Sequence, residues 1–341
     1  MAGARVLVVA ERADIHAEAV AAVLRKEHDV DPVLIDTSSF PGRAGTFELA
    51  GSGPVNVFDG ERLEHAQSVW WRRSPPSDVP QGVNRSHNEY RQAECDGFLQ
   101  GLLWSVSALW VNDPGAERVA SRKVVQLAAA SAAGLAVPQT LVTNDPARAA
   151  AFLAERGPTI YKRTGTSRTE FSETRLVGPD DLKRLGSIAA SPTTFQDYIE
   201  AEADLRVVWV AGEAWAVRID SQSGSGWLDS RLDNSVEFTI HDLPDDVYAA
   251  LGRCMRRLDL VFGVIDLRVG VDGLTYFLEV NPQGQFAYLE FKSGAPIFSS
   301  LANLLVHPDR ARGIGGASDV PAADRIPRGV PDSYNDDTET R

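Results

Sequence analysis

Short apolar runs alternate with amphipathic stretches over the first part of the chain. Val6–Val9 is an apolar run typical of a buried parallel strand, and Asp14 opens an amphipathic stretch that reaches Lys26. Val33–Ile35 repeats the strand pattern, so the N-terminal part is predicted to be an open α/β layer. The turn Ala10-Glu11-Arg12 lacks the glycines of a dinucleotide-binding fingerprint, which disfavours a Rossmann cofactor site.

Capping patterns predict two long helices next. Ser86-His87-Asn88-Glu89 resembles a capping box and predicts a helix that ends near Trp110. Asn112-Asp113-Pro114 places a cap residue before a proline, which predicts a helix to about Ala133 with Gly134 at its C′ position. Strands at 139–142, 159–163, 174–177 and 194–199 and a helix at 145–156 then predict a small α+β unit with a polar loop at 164–172.

A third segment predicts strands at 205–210 and 214–219 and a helix at 245–258, followed by a hairpin. The runs 261–269 and 274–281 flank Asp272-Gly273, a strong signal for a two-residue turn. With that turn, Asp266 lies directly opposite Glu279, and Asn281 shares the face of Glu279.

Opposed carboxylates on a strand pair repel each other, so a cation between them is expected. The oxygens of Asp266, Glu279 and Asn281 suit Mg²⁺, which completes its shell with water and phosphate oxygens. The alternative is a solvated hairpin face whose carboxylates pair with Arg268 or another neighbour.

Two lysines strengthen the phosphate interpretation. Lys162 lies in an apolar strand just before a loop rich in Gly, Thr and Ser, whose N–H groups can cradle phosphate oxygens. Lys123 lies on the helix that follows Asn112-Asp113-Pro114. Taken singly, each lysine can equally be a surface residue with a buried stem.

Composition narrows the class of protein. The 341 residues include 34 Lys and Arg against 47 Asp and Glu, a net charge of −13, which argues against binding nucleic acid or anionic lipid through bulk charge. Cys95 and Cys254 are too few for a disulfide framework, no run of about 18 apolar residues suggests a membrane span, and Met1–Ala10 does not read as a signal peptide. We therefore expect a cytoplasmic protein of two or three domains.

The order of these residues resembles the ATP-grasp superfamily. The resemblance rests on Lys123, Lys162, Gln196-Asp197-Tyr198-Ile199, Asp204-Leu205-Arg206, Asp266 and Glu279-Val280-Asn281-Pro282. Val69-Trp70-Trp71-Arg72-Arg73 and Asn281-Pro282-Gln283-Gly284-Gln285 point within it to the graspetide synthetases, the microviridin-type peptide macrocyclases. It covers roughly residues 1–306. One departure is Asp229-Ser230-Arg231, where the subgroup commonly has Asp-Trp-Arg.

The resemblance implies a three-domain α/β (α+β) ATP-grasp fold with nucleotide bound between the central and C-terminal domains. The expected units are an N-terminal pre-ATP-grasp α/β domain (1–112), a central domain (113–195) and a C-terminal domain with the metal site (196–311). Residues 312–341 are rich in Gly, Pro, Asp and Arg and are expected to form a disordered tail.

The resemblance also implies roles for individual residues. Lys123 and Lys162 would bind ATP phosphates, Gly165 would let the loop close, and Arg206 and Arg231 would face the transferred phosphate or the acceptor carboxylate. The adenine would meet the hinge segment Gln196, Asp197, Tyr198 and Ile199, through the backbone of Asp197 and Ile199. Asp266, Glu279 and Asn281 would hold Mg²⁺. For Arg231, pairing with Asp229 or Asp233 is an equal alternative.

The implied activity is ATP-dependent ligation within a ribosomal precursor peptide made of leader and core. Asp or Glu carboxylates would be phosphorylated and joined to Thr or Ser hydroxyls or Lys amines, forming ester or amide rings. The resemblance implies no nucleic-acid or membrane partner and allows a homodimer. The alternatives are a ribosomal-protein-type glutamate ligase, or another ATP-grasp carboxylate–amine ligase, and a non-catalytic nucleotide-sensing or peptide-binding module.

Overall fold

The computed structural model describes residues 4–51, 53–163, 174–220 and 237–311. The helices of that part are α1 (Ile15–His28), α2 (Arg85–Trp104), α3 (Pro114–Ala120), α4 (Lys123–Ala132), α5 (Pro146–Ala154), α6 (Pro179–Lys183), α7 (Asp245–Arg257), α8 (Ala287–Ser293) and α9 (Ile297–Val306). None of the helices in these ranges is long and apolar enough to cross a membrane.

Sixteen strands form four sheets in the described ranges. They are β1 (Val6–Val9), β2 (Val33–Ile35), β3 (Gly45–Ala50), β4 (Gly53–Phe58), β5 (Glu61–Arg62), β6 (Ser68–Trp71), β7 (Leu109–Val111), β8 (Thr140–Thr143), β9 (Thr159–Arg163), β10 (Arg175–Leu176), β11 (Thr193–Asp197), β12 (Ala201–Val210), β13 (Glu213–Ile219), β14 (Phe238–Ile240), β15 (Phe262–Gly270) and β16 (Thr275–Asn281).

The predicted open α/β layer is confirmed at the N-terminus. Its four strands are parallel and lie in the order β2-β1-β6-β7, and the four residues of β1 are all buried. Helix α1 begins after Asp14, whose carboxylate accepts from the backbone N–H groups of His16 and Ala17. Because β2 and β6 lie on opposite sides of β1, the strand order reverses between β1 and β6.

The end predicted for the first long helix is wrong. Helix α2 is capped by Asn84 and stops at Trp104, and the residues that were expected to continue it to Trp110 instead enter β7 beside β6. The apolar run serves two elements: its first part buries Leu99 and Leu102 from a helix, and its last part adds a strand to the parallel sheet. Periodicity alone does not separate these uses.

The second predicted helix is divided in two. Arg122 has an extended backbone (φ −83°, ψ 114°), so α3 ends and α4 starts anew at Lys123. At this break, the carbonyl of Ala120 accepts a buried hydrogen bond from the side-chain amide of Gln126 (2.7 Å). Gly134 has φ +87°, as expected of a C′ residue.

Two antiparallel sheets carry the rest of the fold. The central sheet has the order β10-β9-β11-β8, and the C-terminal sheet has the order β14-β13-β12-β15-β16. Strand β11 extends to Asp197, so the central sheet continues two residues past the boundary expected at 195.

The C-terminal hairpin has the predicted pairing but a different turn. Gly270 donates its N–H to the carbonyl of Leu274, so three residues form the loop, with Gly273 at φ +79°. A bulge then shifts the register between Asp266 and Leu267, which restores the pairing of Asp266 with Glu279. The expected two-residue turn is therefore wrong, and the expected pair is correct.

The N-terminal and C-terminal sheets share one buried core. Val8 and Trp70 from the first sheet pack in the same cluster as Val264 and Phe286, and α9 packs against α1. Asn112, 1% exposed, connects the two sheets: its Oδ1 accepts from the N–H groups of Val261 and Phe262 (2.9 Å each), and its Nδ2 donates to two carbonyls.

Asn112→Ala is expected to lower the free energy of unfolding by about 2–4 kcal/mol, because it leaves buried backbone N–H groups without an acceptor. Urea denaturation followed by circular dichroism measures the change. Asn88→Ala, which removes a half-buried asparagine of α2 whose hydrogen bonds are solvent-exposed, is the control and should cost under about 1 kcal/mol. Equal losses in the two variants would contradict the bridging role.

Candidate active site

The site is built on the β15–β16 pair. Asp266 lies directly opposite Glu279, so both carboxylates point to one face of the sheet. Asn281 follows on the same strand as Glu279. Each carboxylate is met by a cation from another element: Lys123 Nζ lies 3.0 Å from Glu279 Oε2, and Arg206 Nη1 lies 3.1 Å from Asp266 Oδ1.

Strand β12 supplies the cation for Asp266. Arg206 pairs in register with Asp266, and two residues earlier Asp204 pairs in register with Arg268. Arg268 makes two bonds to Asp204, at 2.8 and 3.1 Å, in a nearly enclosed setting. Arg268 is therefore engaged by Asp204, which leaves Arg206 as the partner for Asp266.

Lys123 and Arg206 therefore offset part of the repulsion between the two carboxylates without a metal. The alternative of a carboxylate face neutralised by a neighbour is correct for Arg206 and Lys123, but not for Arg268. No group of three or more His, Cys, Asp or Glu suited to a metal occurs in the described ranges. Two carboxylates and the amide oxygen of Asn281 nevertheless form a hard-oxygen set, and this set fits Mg²⁺ that keeps water and phosphate ligands.

A cleft beside this strand pair collects the residues expected to bind the nucleotide. Lys162, Gln196, Asp197, Tyr198 and Ile199 all line it. Its remaining walls are Pro138, Ile160, Thr174, Arg268 and Leu278. The sequence did not predict Leu278 as a lining residue. Leu278 lies at the bulge of β16, and neither a turn motif nor the hydrophobic periodicity indicates that bulge.

A directed chain of hydrogen bonds orients Lys162. Its Nζ donates to Gln196 Oε1 (3.1 Å), Gln196 Nε2 donates to Thr140 Oγ1 (2.8 Å), and Thr140 Oγ1 donates to the carbonyl of Pro138 (2.7 Å). Gln196 is 1% exposed, so its side-chain amide is held in place by the fold and orients the ammonium of Lys162. Burial, and then the nearby charge of Lys123, lower the pKa of Lys162 to about 8.

Residues from outside the hairpin hold the segment that follows Asn281. The N–H of Gln283 donates to Asn281 Oδ1 (3.0 Å), which fixes the amide of Asn281. Gln126 accepts from the N–H of Val280 (3.1 Å) and donates to its carbonyl (2.7 Å). Asn112 donates to the carbonyl of Pro282 (3.3 Å). Sequence reasoning missed Gln126 and Asn112, because neither carries a motif of its own.

Two expected site residues, Gly165 and Arg231, lie outside the described residues, as do Asp229 and Ser230. Asp197, expected at the adenine through its backbone, donates its N–H to the carbonyl of Gln139 (3.0 Å) and accepts from Arg156 through its side chain (2.9 Å). Tyr198 donates its N–H to the carbonyl of Pro158.

The structure superimposes on solved ligases over most of its length. A RiPP-associated ATP-grasp ligase of Chryseobacterium gregarium, in complex with ADP and a leader and core peptide, matches with TM-score 0.80 and 23% identity over 89% of this chain and 96% of that chain. The macrocyclase MdnC of Microcystis aeruginosa, bound with precursor peptide MdnA, matches with TM-score 0.77 and 27% identity, over 89% and 99%.

A third match is PsnB, an ATP-grasp ligase complexed with a minimal precursor, Mg and ADP, with TM-score 0.73 and 24% identity over 88% of this chain and 96% of that chain. This chain has the fold of the peptide-modifying ATP-grasp ligases, the graspetide synthetases. No protein-family model matches the sequence, and no curated protein matches it either. The similarity to ATP-grasp ligases is therefore clearer in the three-dimensional arrangement of helices and strands than in the amino-acid sequence.

The affinity for ADP is expected to fall about tenfold between about pH 7 and about pH 9.5, because Lys162 loses its proton as the pH rises through its lowered pKa of about 8. Titration calorimetry across this range measures the effect. Lys162→Met should bind ADP more weakly at about pH 7 and show a flatter pH dependence. Lys183→Met, an exposed lysine on α6, should keep the parent's profile. A Lys162→Met profile as steep as the parent's would contradict the assignment.

Proposed function

We propose that this protein is an ATP- and Mg²⁺-dependent ligase that closes rings in a ribosomal precursor peptide. An Asp or Glu side chain of the peptide receives the γ-phosphate of ATP, and a Thr or Ser hydroxyl or a Lys amine then displaces phosphate. The products are an ester or amide ring, ADP and phosphate. The observation that carries the proposal is the opposed pair Asp266 and Glu279 beside a cleft lined by Lys162 and 196–199.

The chemistry requires charge neutralisation more than covalent help from the protein. A carboxylate is a poor electrophile because its leaving group would be oxide, and phosphorylation gives it a good one. Mg²⁺, when bound, neutralises phosphate charge during the transfer. Asp266, Glu279 and Asn281 would hold it, and Glu279 would release Lys123 to the phosphates.

The remaining residues bind and orient. Lys162, held by Gln196, directs its ammonium into the cleft, where it would neutralise nucleotide phosphate oxygens. Arg206 lies at Asp266 with its guanidinium 5.9 Å from the ring centroid of Tyr288, and would face the transferred phosphate or the acceptor carboxylate. Arg231 is proposed for the same task from the sequence alone, and Gly165 for loop closure.

The partner supported by the neighbours is a peptide, since MdnC is bound with precursor peptide MdnA. We propose a leader-plus-core precursor for this chain too, a cytoplasmic location and no nucleic-acid or membrane partner; the proposal allows a homodimer and does not require one. The proposed units remain 1–112, 113–195 and 196–311, with 312–341 as a tail that lies outside the described residues. A ribosomal-protein-type glutamate ligase is the rival, and Trp70-Trp71-Arg72-Arg73 disfavours it.

Asp266→Asn and Glu279→Gln are each expected to abolish ring formation and to leave the protein folded, because each removes an oxygen anion needed for Mg²⁺. The peptide to test is the product of any neighbouring short reading frame that is rich in Thr and Asp or Glu. Mass spectrometry counts one water lost per ring. Asp272→Asn, in the loop of the same hairpin, is the control and should keep activity. Full stabilisation of either site variant by Mg-ATP in a thermal melt would contradict the metal assignment.

Arg206→Lys and Arg231→Lys are each expected to keep nucleotide affinity and to slow ring formation by one to three orders of magnitude, about 1.4–4 kcal/mol, because lysine lacks the bidentate fork. Affinity and rate are measured on the same preparation. A variant that forms rings at the parent's rate excludes its arginine from the transfer step and leaves the role to the other.

A further inference from the structure

Two consecutive arginines converge on a single carbonyl oxygen. Nη1 of Arg72 donates to the carbonyl of Gln283, and Nε of Arg73 donates to the same oxygen at 3.2 Å. Both guanidinium groups are therefore held close together, and their like charges repel each other. A folded protein tolerates two such guanidinium groups more readily when a nearby anion offsets their repulsion.

Arg72 is buried, and both of its Nη atoms are engaged by the protein, whereas its Nε has no hydrogen-bond partner. It is 1% exposed, donates to the carbonyl of Gly284 (3.1 Å), and lies 3.4 Å from the carboxylate of Asp14 and 3.1 Å from Nδ1 of His16. This set of bonds anchors the segment after Asn281 to the carboxyl ends of β1 and β6. Arg72 therefore has a structural role, and its charge is paired with that of Asp14.

Arg73 is not satisfied in the same way. Its bond to Gln283 uses Nε, and within the described ranges neither Nη atom has a hydrogen-bond or ion-pair partner. The side chain is partly buried, and its Nη atoms are not among the buried atoms that lack a partner, so the outer end of the guanidinium reaches solvent. Two N–H donor groups of one guanidinium fork remain available for a planar anion.

The nearby titratable groups do not cancel this charge. Asp14 is taken by Arg72, and burial lowers the pKa of His16, which favours its neutral form. Burial raises the pKa of Glu117 to about 8, so this carboxyl is largely protonated near neutral pH. The field around Arg73 therefore stays positive.

Backbone geometry and topology mark the same place. Arg73 has φ +45°, which costs free energy for a residue with a side chain, and Ala13 has φ +65° in the turn between β1 and α1. The N–H of Arg72 donates to the carbonyl of Val9, so the carboxyl ends of β1 and β6 lie side by side. The strand order reverses at this point, which is the usual ligand position in an open parallel α/β sheet.

The carboxyl ends of β1 and β6 adjoin the proposed metal site from the N-terminal side. Gln283, whose carbonyl both arginines contact, donates its N–H to Asn281. The nucleotide cleft is lined instead by 196–199, Lys162 and Leu278, none of which belongs to the N-terminal sheet. An anion at Arg73 would therefore come from the second substrate.

We propose that Arg73 binds the side-chain carboxylate of an acidic residue of the peptide at the carboxyl ends of β1 and β6, an inference that rests on the proposed peptide-ligase function. Its Nη1 and Nη2 donate to the two carboxylate oxygens, while Nε stays on Gln283. Arg73 thereby holds an acidic side chain beside Asn281 and gives the protein a preference for acidic peptides.

The test measures whether Arg73 is coupled to peptide carboxylates. The probes are an acetylated, amidated hexapeptide of Thr and Glu and the same peptide with Gln in place of Glu. Each is titrated by calorimetry into the full chain with ADP and Mg²⁺. The variants are Arg73→Met and Arg73→Gly, and the control is Arg25→Met, which removes an exposed arginine on α1 that pairs with Asp31.

The parent and Arg25→Met should bind the Glu peptide about tenfold more tightly than the Gln peptide. Arg73→Met should lose most of this preference. Arg73→Gly should lose it as well while melting no lower than the parent, since glycine accepts the positive φ without strain. ADP affinity, measured separately, should stay unchanged in every variant.

An unchanged Glu-over-Gln preference in both Arg73 variants would overturn the proposal, as would no preference in the parent or a loss confined to ADP affinity. Ring formation is scored by mass spectrometry on the same preparations. Rings with an unchanged preference in the variants remove Arg73 and leave the ligase function standing. An Arg73-dependent preference without rings supports the carboxylate site and contradicts the ligase function.

Discussion

The repulsion between Asp266 and Glu279 is the constraint on which the rest of the site depends. Two carboxylates that face each other across a strand pair destabilise it unless positive charge lies close. The fold brings that charge from two separate elements: Lys123 comes from the first turn of α4, and Arg206 comes from the adjacent strand β12. The break before α4 and the alternation of charge along β12 both serve this arrangement. A metal with nucleotide would substitute for these cations and release them towards phosphate.

The N-terminal sheet contributes to the site without lining the cleft at Lys162 and 196–199. Arg72 and Asn112 donate to the carbonyls that follow Asn281, and His16 accepts from the N–H of Phe286 (3.0 Å). These buried polar groups are costly unless they are paired, so they fix one conformation of the segment. The position of Asn281 therefore depends on residues more than 150 positions away in sequence, and the two sheets act as one unit.

The hairpin shows how a correct pairing can follow from an incorrect turn. Asp-Gly predicts a two-residue turn, whereas the loop has three residues, and this difference alone would have moved Glu279 out of register with Asp266. The bulge opposite Asp266 compensates by one residue and also places Leu278 in the cleft beside Lys162. A bulge depends on packing against neighbouring strands, and here Phe277 is wholly buried beneath it. Local sequence carries no signal for it.

The sequence by itself determined the elements and the chemistry carried by short local patterns. Val6–Val9 and Thr159–Arg163 form the predicted strands, Gly134 takes the predicted positive φ, and the residues at 196–199 meet Lys162 in one cleft. These features depend on neighbours within a few positions. Only the tertiary structure decided where α2 ends, where α3 gives way to α4, and that Gln126, Asn112 and Arg72 support the segment around Asn281. Those outcomes arise from hydrogen bonds and packing between distant segments, and such contacts leave no periodic trace in the chain.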